Sequence, residues 1–265
     1  MRNRHHCSGL GIPAKNGMPG YIGQNMDIES YTAGYQIIMR IKGEDGKPDR
    51  LVLSYPGLIA LNGLNNKGIG VCVNTIMQVS ACNDGLPVAF VIRGILEREE
   101  KSEVMDFIHS VKHASGQNYL LGIQGEVFDF EASANKVVRY DPQNENGAVY
   151  HTNHPIVNDD LKEWHAEGIE KLKKDGRLEN TNSYIRLHAL SNRVSGSIDV
   201  NVEIIKNALR SKDDPRNPVC NSYQAEYSGF TFASIIMVHS GIPFIQVSAG
   251  PPDEYEYHTI TFTPW

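Results

Sequence analysis

The chain of 265 residues has no run of five or more like charges, and no apolar stretch near the roughly 18 residues that would mark a membrane-spanning helix. Its start lacks the apolar core of a signal peptide. The charge balance is mildly acidic, 25 Lys and Arg against 31 Asp and Glu, which argues against a nucleic acid or an anionic membrane held by electrostatics. Only four cysteines are present, Cys7, Cys72, Cys82 and Cys220, none in CxxC spacing. That pattern favours free thiols in a reducing compartment over a disulfide framework. No internal repeat, low-complexity tract or Pro/Ser-rich linker divides the sequence. A cytoplasmic protein with one domain is the expectation.

What is present is a succession of strand cues interrupted twice by helix pairs. Tyr35, Ile37, Met39 and Ile41 alternate with polar residues, end at Gly43-Glu44-Asp45-Gly46, and are followed by a second strand over 50–54. Asn65-Asn66-Lys67-Gly68 cues another tight turn, leading into an apolar strand over 69–76. Pro87 can open a helix with an apolar face of Phe90, Val91, Ile95 and Leu96. Ser102 reads as the N-cap of the next helix, whose Val104, Phe107, Ile108 and Val111 fall at i, i+3, i+4 and i+7. Strands follow over 119–124, 127–131, 136–140 and 149–152, and the charged stretch 157–180 reads as a surface excursion. Helices over 183–193 and 200–209 precede closing strands over 231–238, 243–248 and 257–262. This order, with antiparallel cues throughout, predicts two largely antiparallel sheets with a helix pair outside each, an α/β/β/α sandwich of the α+β class.

The chemistry is sought first at Cys7. A thiol with a pKa near about 8.5 needs a base, and an α-amine with a pKa near about 8 supplies one if the cysteine is itself the first residue. That requires removal of Met1 to His6. Cys7 also reads as a small apolar strand residue. Gly23-Gln24-Asn25-Met26-Asp27 lies on the far side of a hairpin returning from Cys7, so the Asp27 carboxylate can reach the thiol and amine; a turn or capping Asp is the other reading. Asn74 sits within the apolar run Val71-Cys72-Val73-Asn74-Thr75-Ile76, where a buried amide must find partners, either structural or catalytic. Asn153, in Thr152-Asn153-His154-Pro155, can offer its amide NH2 to an oxyanion or form a turn before the proline.

Taken in order, these motifs resemble the acyl-CoA:6-aminopenicillanic acid acyltransferase family of N-terminal-nucleophile (Ntn) hydrolases, relatives of penicillin V acylase and bile salt hydrolase. The resemblance runs on through Gly63-Leu64-Asn65-Asn66-Lys67-Gly68, Arg93-Gly94-Ile95-Leu96-Glu97, Ser183-Tyr184-Ile185-Arg186-Leu187, the strand Thr231 to Met237, and Ser248-Ala249-Gly250-Pro251-Pro252. It implies Cys7 as nucleophile with its freed amine as base, Asp27 orienting that amine, Asn153 in the oxyanion hole and Asn74 helping to bind the carbonyl oxygen. It implies that Ser183 and Arg186 lie near the nucleophile in substrate-binding positions. Gln24 joins that substrate-binding set, standing where penicillin V acylase carries arginine. Residues 1–6 are then a leader removed by self-processing, and 7–265 the mature domain. The implied reaction is acyl transfer from a small-molecule amide or thioester to water or an amine through a thioester acyl-enzyme, with no metal or organic cofactor; a homo-oligomer is compatible. The leader departs from the family's pattern, being six residues with His6 before the scissile bond, where members commonly carry about a hundred residues ending in Gly.

Three rivals accompany this reading: a penicillin V or conjugated bile acid type amidase, an unprocessed binding protein on the same fold, and a metal site built from His5, His6 and Cys7 with His151 or His154. Adjacent residues on a strand point to opposite faces, so that His-His-Cys run makes a poor chelate. Pocket-lining residues are expected from loops over 54–62, 76–86 and 211–230, including Tyr55, Met77, Leu86, Tyr223, Tyr227 and Phe230.

Overall fold

Asn16 and Gly17 both take positive φ, 54° and 80°, and the flanking Lys15 and Met18 exchange backbone hydrogen bonds. This is the two-residue turn whose twist matches antiparallel strands, and it folds β1 (Ser8–Ile12) back against β2 (Tyr21–Glu29). The computed structural model describes residues 7–142, 144, 146–197, 199–224 and 229–263. His5, His6 and Tyr227, named above, lie outside them.

Two antiparallel sheets form. The first, six-stranded, gathers distant parts of the chain in the order β10-β1-β2-β11-β12-β13, with β10 (Val149–His151), β11 (Gly229–Val238), β12 (Phe244–Ser248) and β13 (His258–Thr261). The second is a seven-stranded meander in chain order: β3 (Ile37–Ile41), β4 (Arg50–Ser54), β5 (Asn62–Asn65), β6 (Ile69–Thr75), β7 (Gln117–Ile123), β8 (Glu126–Ala132) and β9 (Val137–Tyr140). Helices α1 (Val88–Leu96) and α2 (Lys101–Ser110) interrupt the meander and press Val91, Ile92, Ile95, Val104 and Ile108 into the main core. Helices α4 (Asn182–Val194) and α5 (Val202–Leu209) cover the first sheet, where Leu190, Val194, Ile205 and Leu209 meet Leu10, Ile12, Ile236 and Val238. Each such Leu or Ile buried from water stabilises the fold by about 1.5–3 kcal/mol. The expected α/β/β/α order of layers is therefore the one that forms.

Three local expectations are corrected. Helix α2 is capped by Glu100 rather than Ser102: the Glu103 carboxylate accepts the Glu100 backbone N–H and the Glu100 side chain accepts the Glu103 backbone N–H, so each satisfies the other's donor. Phe90 sits in the first turn of α1 with its ring exposed, while Ile92 joins the buried face. The stretch 157–180 contains α3 (Glu163–Lys174), which buries no residue fully. Its Ile169 and Leu172 instead face the cleft described next.

Candidate active site

The hairpin sets the first two candidate positions. With Ser8 opposite Asn25, Cys7 falls beside Met26 and Asp27 at the open end of the strand pair. The Cys7 Sγ lies 3.6 Å from Met26 Sδ and 3.7 Å from the Asp27 backbone oxygen, buried between the sheets. The Asp27 carboxyl accepts from Thr231 Oγ1 at 2.8 Å, at a point where the β2–β11 register shifts by a bulge. Such irregularities re-aim side chains. Asp27 thus offers its main-chain carbonyl to the thiol and acts on it through its charge. Burial, and then the Asp27 charge, push the Cys7 thiol up to about 12. Burial likewise raises Asp27 to about 7. In the intact chain the thiol is therefore held neutral at physiological pH.

Arg186, from α4, joins these groups to Asn153. Its Nη1 donates to the Cys7 backbone oxygen at 2.6 Å and to Ser8 Oγ at 2.8 Å; Nη2 donates to Asn153 Oδ1 at 2.9 Å, and Nε to Asn182 Oδ1 at 2.9 Å. Burial lowers its pKa to about 10, which still leaves it charged at neutral pH, with Asp27 favouring that charge. A guanidinium only donates, so the bond to Oδ1 fixes which way the Asn153 amide faces. Its Nδ2 then donates to Thr75 O at 3.0 Å, which uses one of two amide hydrogens. The Asn153 backbone is held as well, its N–H by Ser183 Oγ at 2.8 Å and its carbonyl by Gln78 Nε2 at 2.7 Å. A pre-oriented amide with one hydrogen to spare is the kind of donor an oxyanion needs.

Asn74 and Gln24 behave differently. Asn62 Nδ2 donates to Gln24 Oε1 (3.1 Å), Gln24 Nε2 to Asn74 Oδ1 (2.9 Å) and Val73 O (2.5 Å), and Asn74 Nδ2 to Asn118 Oδ1 (3.0 Å) and His151 O (3.2 Å). Asn118 Nδ2 closes the row on the Asp129 carboxyl. Backbone carbonyls cannot donate, so the direction of every amide is set. All five side chains are fully buried. Both side-chain amide hydrogens of Asn74 and of Gln24 are committed, leaving neither side chain a hydrogen to spare. These side chains brace the two sheets against each other. Strand β1 rests on that scaffold, since a Cβ on Gly9 would stand only 3.3 Å from Asn74 Nδ2.

A cleft of about 520 Å³ opens over Asn153, Arg186, Ser183 and Gln78. Its walls come from α3 (His165, Ile169, Leu172), from Leu178 and Tyr184, and from Arg216 and Asn217. This corrects the expected lining: the loops over 54–62 and 76–86 contribute only Gln78, and Phe230 is buried in the core. Among the described lining residues there is no carboxylate. His154 stacks on Tyr184 with ring centroids 3.9 Å apart, and its Nδ1 meets Ser183 Oγ at 2.7 Å. Burial pushes His154 down to about 3, so it meets the Ser183 hydroxyl as a neutral ring. Ser183 therefore clamps Asn153 to the start of α4, with its hydroxyl already engaged. The His151 ring nitrogens are also taken, by Thr152 O and Glu131. Glu131 and Ser8 escaped sequence reasoning, and His151 and Thr231 entered it only as part of a rival metal site and of a strand motif, because nothing near them in the chain marks their partners.

The sequence over residues 14–240 matches the family described as acyl-coenzyme A:6-aminopenicillanic acid acyl-transferase. No curated protein sequence matches the chain. Among solved structures, a mutant conjugated bile acid hydrolase from Clostridium perfringens is 17% identical with a TM-score of 0.57, over 97% of each chain. The Caenorhabditis elegans ortholog of N-acylethanolamine-hydrolyzing acid amidase is 15% identical with a TM-score of 0.57, covering 97% of this chain and 100% of its own. Penicillin V acylase from Agrobacterium tumefaciens is 14% identical with a TM-score of 0.56, over 92% and 83%. At such identities these three speak for a shared fold, the Ntn-hydrolase sandwich, while the family match spans most of the sequence: the chain belongs to the acyl-coenzyme A:6-aminopenicillanic acid acyl-transferase family.

Proposed function

We propose that the mature protein, residues 7–265, is an N-terminal cysteine amidase or acyltransferase acting on a small-molecule amide or thioester. The observation that carries this reading is the buried guanidinium of Arg186, which grips the Cys7 carbonyl and the Asn153 amide at once. Removal of residues 1–6 frees the Cys7 α-amine, whose pKa near about 8 suits it to take the thiol proton that burial otherwise retains. Asp27 orients the resulting ammonium. The thiolate forms a C–S bond to the substrate carbonyl, and the oxyanion takes the spare Asn153 N–H and backbone donors. Collapse breaks the C–N or C–S bond, and the leaving group takes the proton from the ammonium. Water, or an amine acceptor, then gives up a proton to the amine and releases the acyl group from Cys7.

The cleft combines Ile169, Leu172, Leu178 and Tyr184 with Arg216 and, among the described residues, no lining carboxylate. That suits a substrate with one apolar half and one anionic group. Incubation with an aliphatic acyl thioester, acid quench and peptide mass mapping test the reading: an acyl adduct on Cys7 supports it, and turnover with no adduct at Cys7 contradicts it. An added amine acceptor separates the two outcomes, since a transferase forms the new amide with saturable, Cys7-dependent kinetics above the rate seen with Cys7→Ala, while a hydrolase returns the free acid.

A further inference from the structure

Asn153 occupies the top of a turn whose two ends are gripped by one residue of the opposite sheet. Glu131, on β8, is fully buried. Its Oε1 meets His151 Nε2 at 2.8 Å, just before the turn. Its two oxygens also accept the backbone N–H groups of Ile156 (2.5 Å), Val157 (3.0 Å) and Asn158 (2.7 Å), just after it. Asn158 Nδ2 returns a bond to the Glu131 backbone oxygen at 3.0 Å. A carboxylate receiving three backbone N–H groups is held in its ionised form.

The His151 ring is locked in consequence. Nδ1 faces Thr152 O at 2.7 Å, and a carbonyl can only accept. Nε2 faces the ionised Glu131, which also only accepts. Both nitrogens must carry hydrogen, so the ring is a buried imidazolium. The charged and titratable groups around it are Asp129 and Glu131 on β8, His154 on its own segment, and, beyond His154, Tyr184 and Arg186 on α4. His151 pairs with Gly9 of β1, two residues from the nucleophile, and its carbonyl receives Asn74 of the amide row.

We propose that the Glu131–His151 ion pair is a positioning device for the oxyanion donor: it sets Asn153 relative to Cys7 from the far sheet, without touching the substrate. The role rests on the proposed acyl transfer at Cys7. Its signature is selectivity for chemistry that develops an oxyanion. Acylation of Cys7 by p-nitrophenyl acetate passes through a tetrahedral oxyanion, whereas alkylation by iodoacetamide displaces iodide at carbon and forms none. Misplacing the donor by about an ångström slows the first by about 10- to 100-fold and leaves the second alone.

The experiment compares both rates at Cys7 in wild type, Glu131→Gln and the milder His151→Gln, which keeps a donor toward Glu131. The expected result is slowed p-nitrophenolate release in both variants, more in Glu131→Gln, with iodoacetamide rates within about twofold of wild type. Equal acylation rates in the variants and wild type overturn the positioning role alone. Parallel loss of both rates in both variants also overturns it, showing that the pair only supports the fold. Failure of wild type to acylate at Cys7 sinks the acyl-transfer reading, and the positioning role with it. Independently of activity, nitrogen-15 spectra of histidine-labelled wild type are expected to show one ring with both nitrogens protonated at pH 7.5, absent from His151→Gln. A neutral His151 contradicts the geometry.

Discussion

Two groups of buried amides lie within a few residues of each other and do opposite things. The row Asn62, Gln24, Asn74, Asn118 and Asp129 runs between the sheets with every amide hydrogen of Gln24 and Asn74 spent on a fixed acceptor. Asn153, held by Arg186, Ser183, Gln78 and Thr75, keeps one hydrogen unspent and borders the cleft. Asn74 and Asn153 share residue type and burial. What separates scaffold from site is the count of donors left over, and that count depends on neighbours far away in the chain.

Substitutions can break or sharpen this contrast. The largest effect is expected at Asn153→Ala, which removes the proposed oxyanion donor: acylation of Cys7 falls by about 10²–10³-fold, measured with p-nitrophenyl acetate, while the circular dichroism spectrum is retained. Asn74→Ala should do the reverse. It takes the acceptor from one of the two Gln24 amide hydrogens and the Asn74 donor from Asn118 Oδ1 and His151 O, so the midpoint in urea drops by the equivalent of about 3 kcal/mol, while the protein that remains folded acylates within a few-fold of wild type.

A pH-dependent effect follows at the end of the row. Burial raises Asp129 to about 7, so the folded protein binds that proton more tightly than the unfolded chain. Its favourable share of stability is complete below the unfolded carboxylate pKa of about 3.9 and is lost as pH rises through about 7. Asp129→Asn mimics the protonated acid and keeps the acceptor for Asn118. It should match wild type in melting temperature near pH 4 and exceed it at pH 8; an equal gap at both pH values would show that Asp129 is not the titrating group. The smallest effect is expected at Arg216→Gln on the cleft wall. It should raise KM several-fold for an anionic acyl amide and leave kcat and a neutral amide unaffected, since a rim charge acts on capture rather than on chemistry.

The meander and the β1–β2 hairpin were legible in the sequence because their determinants are local. Asn65 to Gly68 and Asn16-Gly17 make their turns without help from elsewhere, and alternation then sets each face. The neighbourhood of Cys7 and Asp27 followed from that hairpin. The helix α3 was not legible as part of a site, because His165, Ile169 and Leu172 recur at i, i+4 and i+7 to line a cleft instead of filling a core, among charged residues that hide the period. Asn74 looked like a candidate donor because a lone amide in an apolar strand demands partners. Those partners, Gln24 and Asn118, lie on strands brought together only by the packing of two sheets. The family resemblance supplied Arg186, whereas its hold on both Cys7 and Asn153 rests on three distant segments meeting at one guanidinium.

The central claim, that Cys7 acts as an N-terminal nucleophile with its own amine as base, is tested most directly by the intact mass of purified protein. Wild type is predicted to lose Met1 to His6 while Cys7→Ala retains them, with Cys7 acylated only in the shortened chain. An unshortened wild type that acylates at Cys7 and turns over substrate would contradict it.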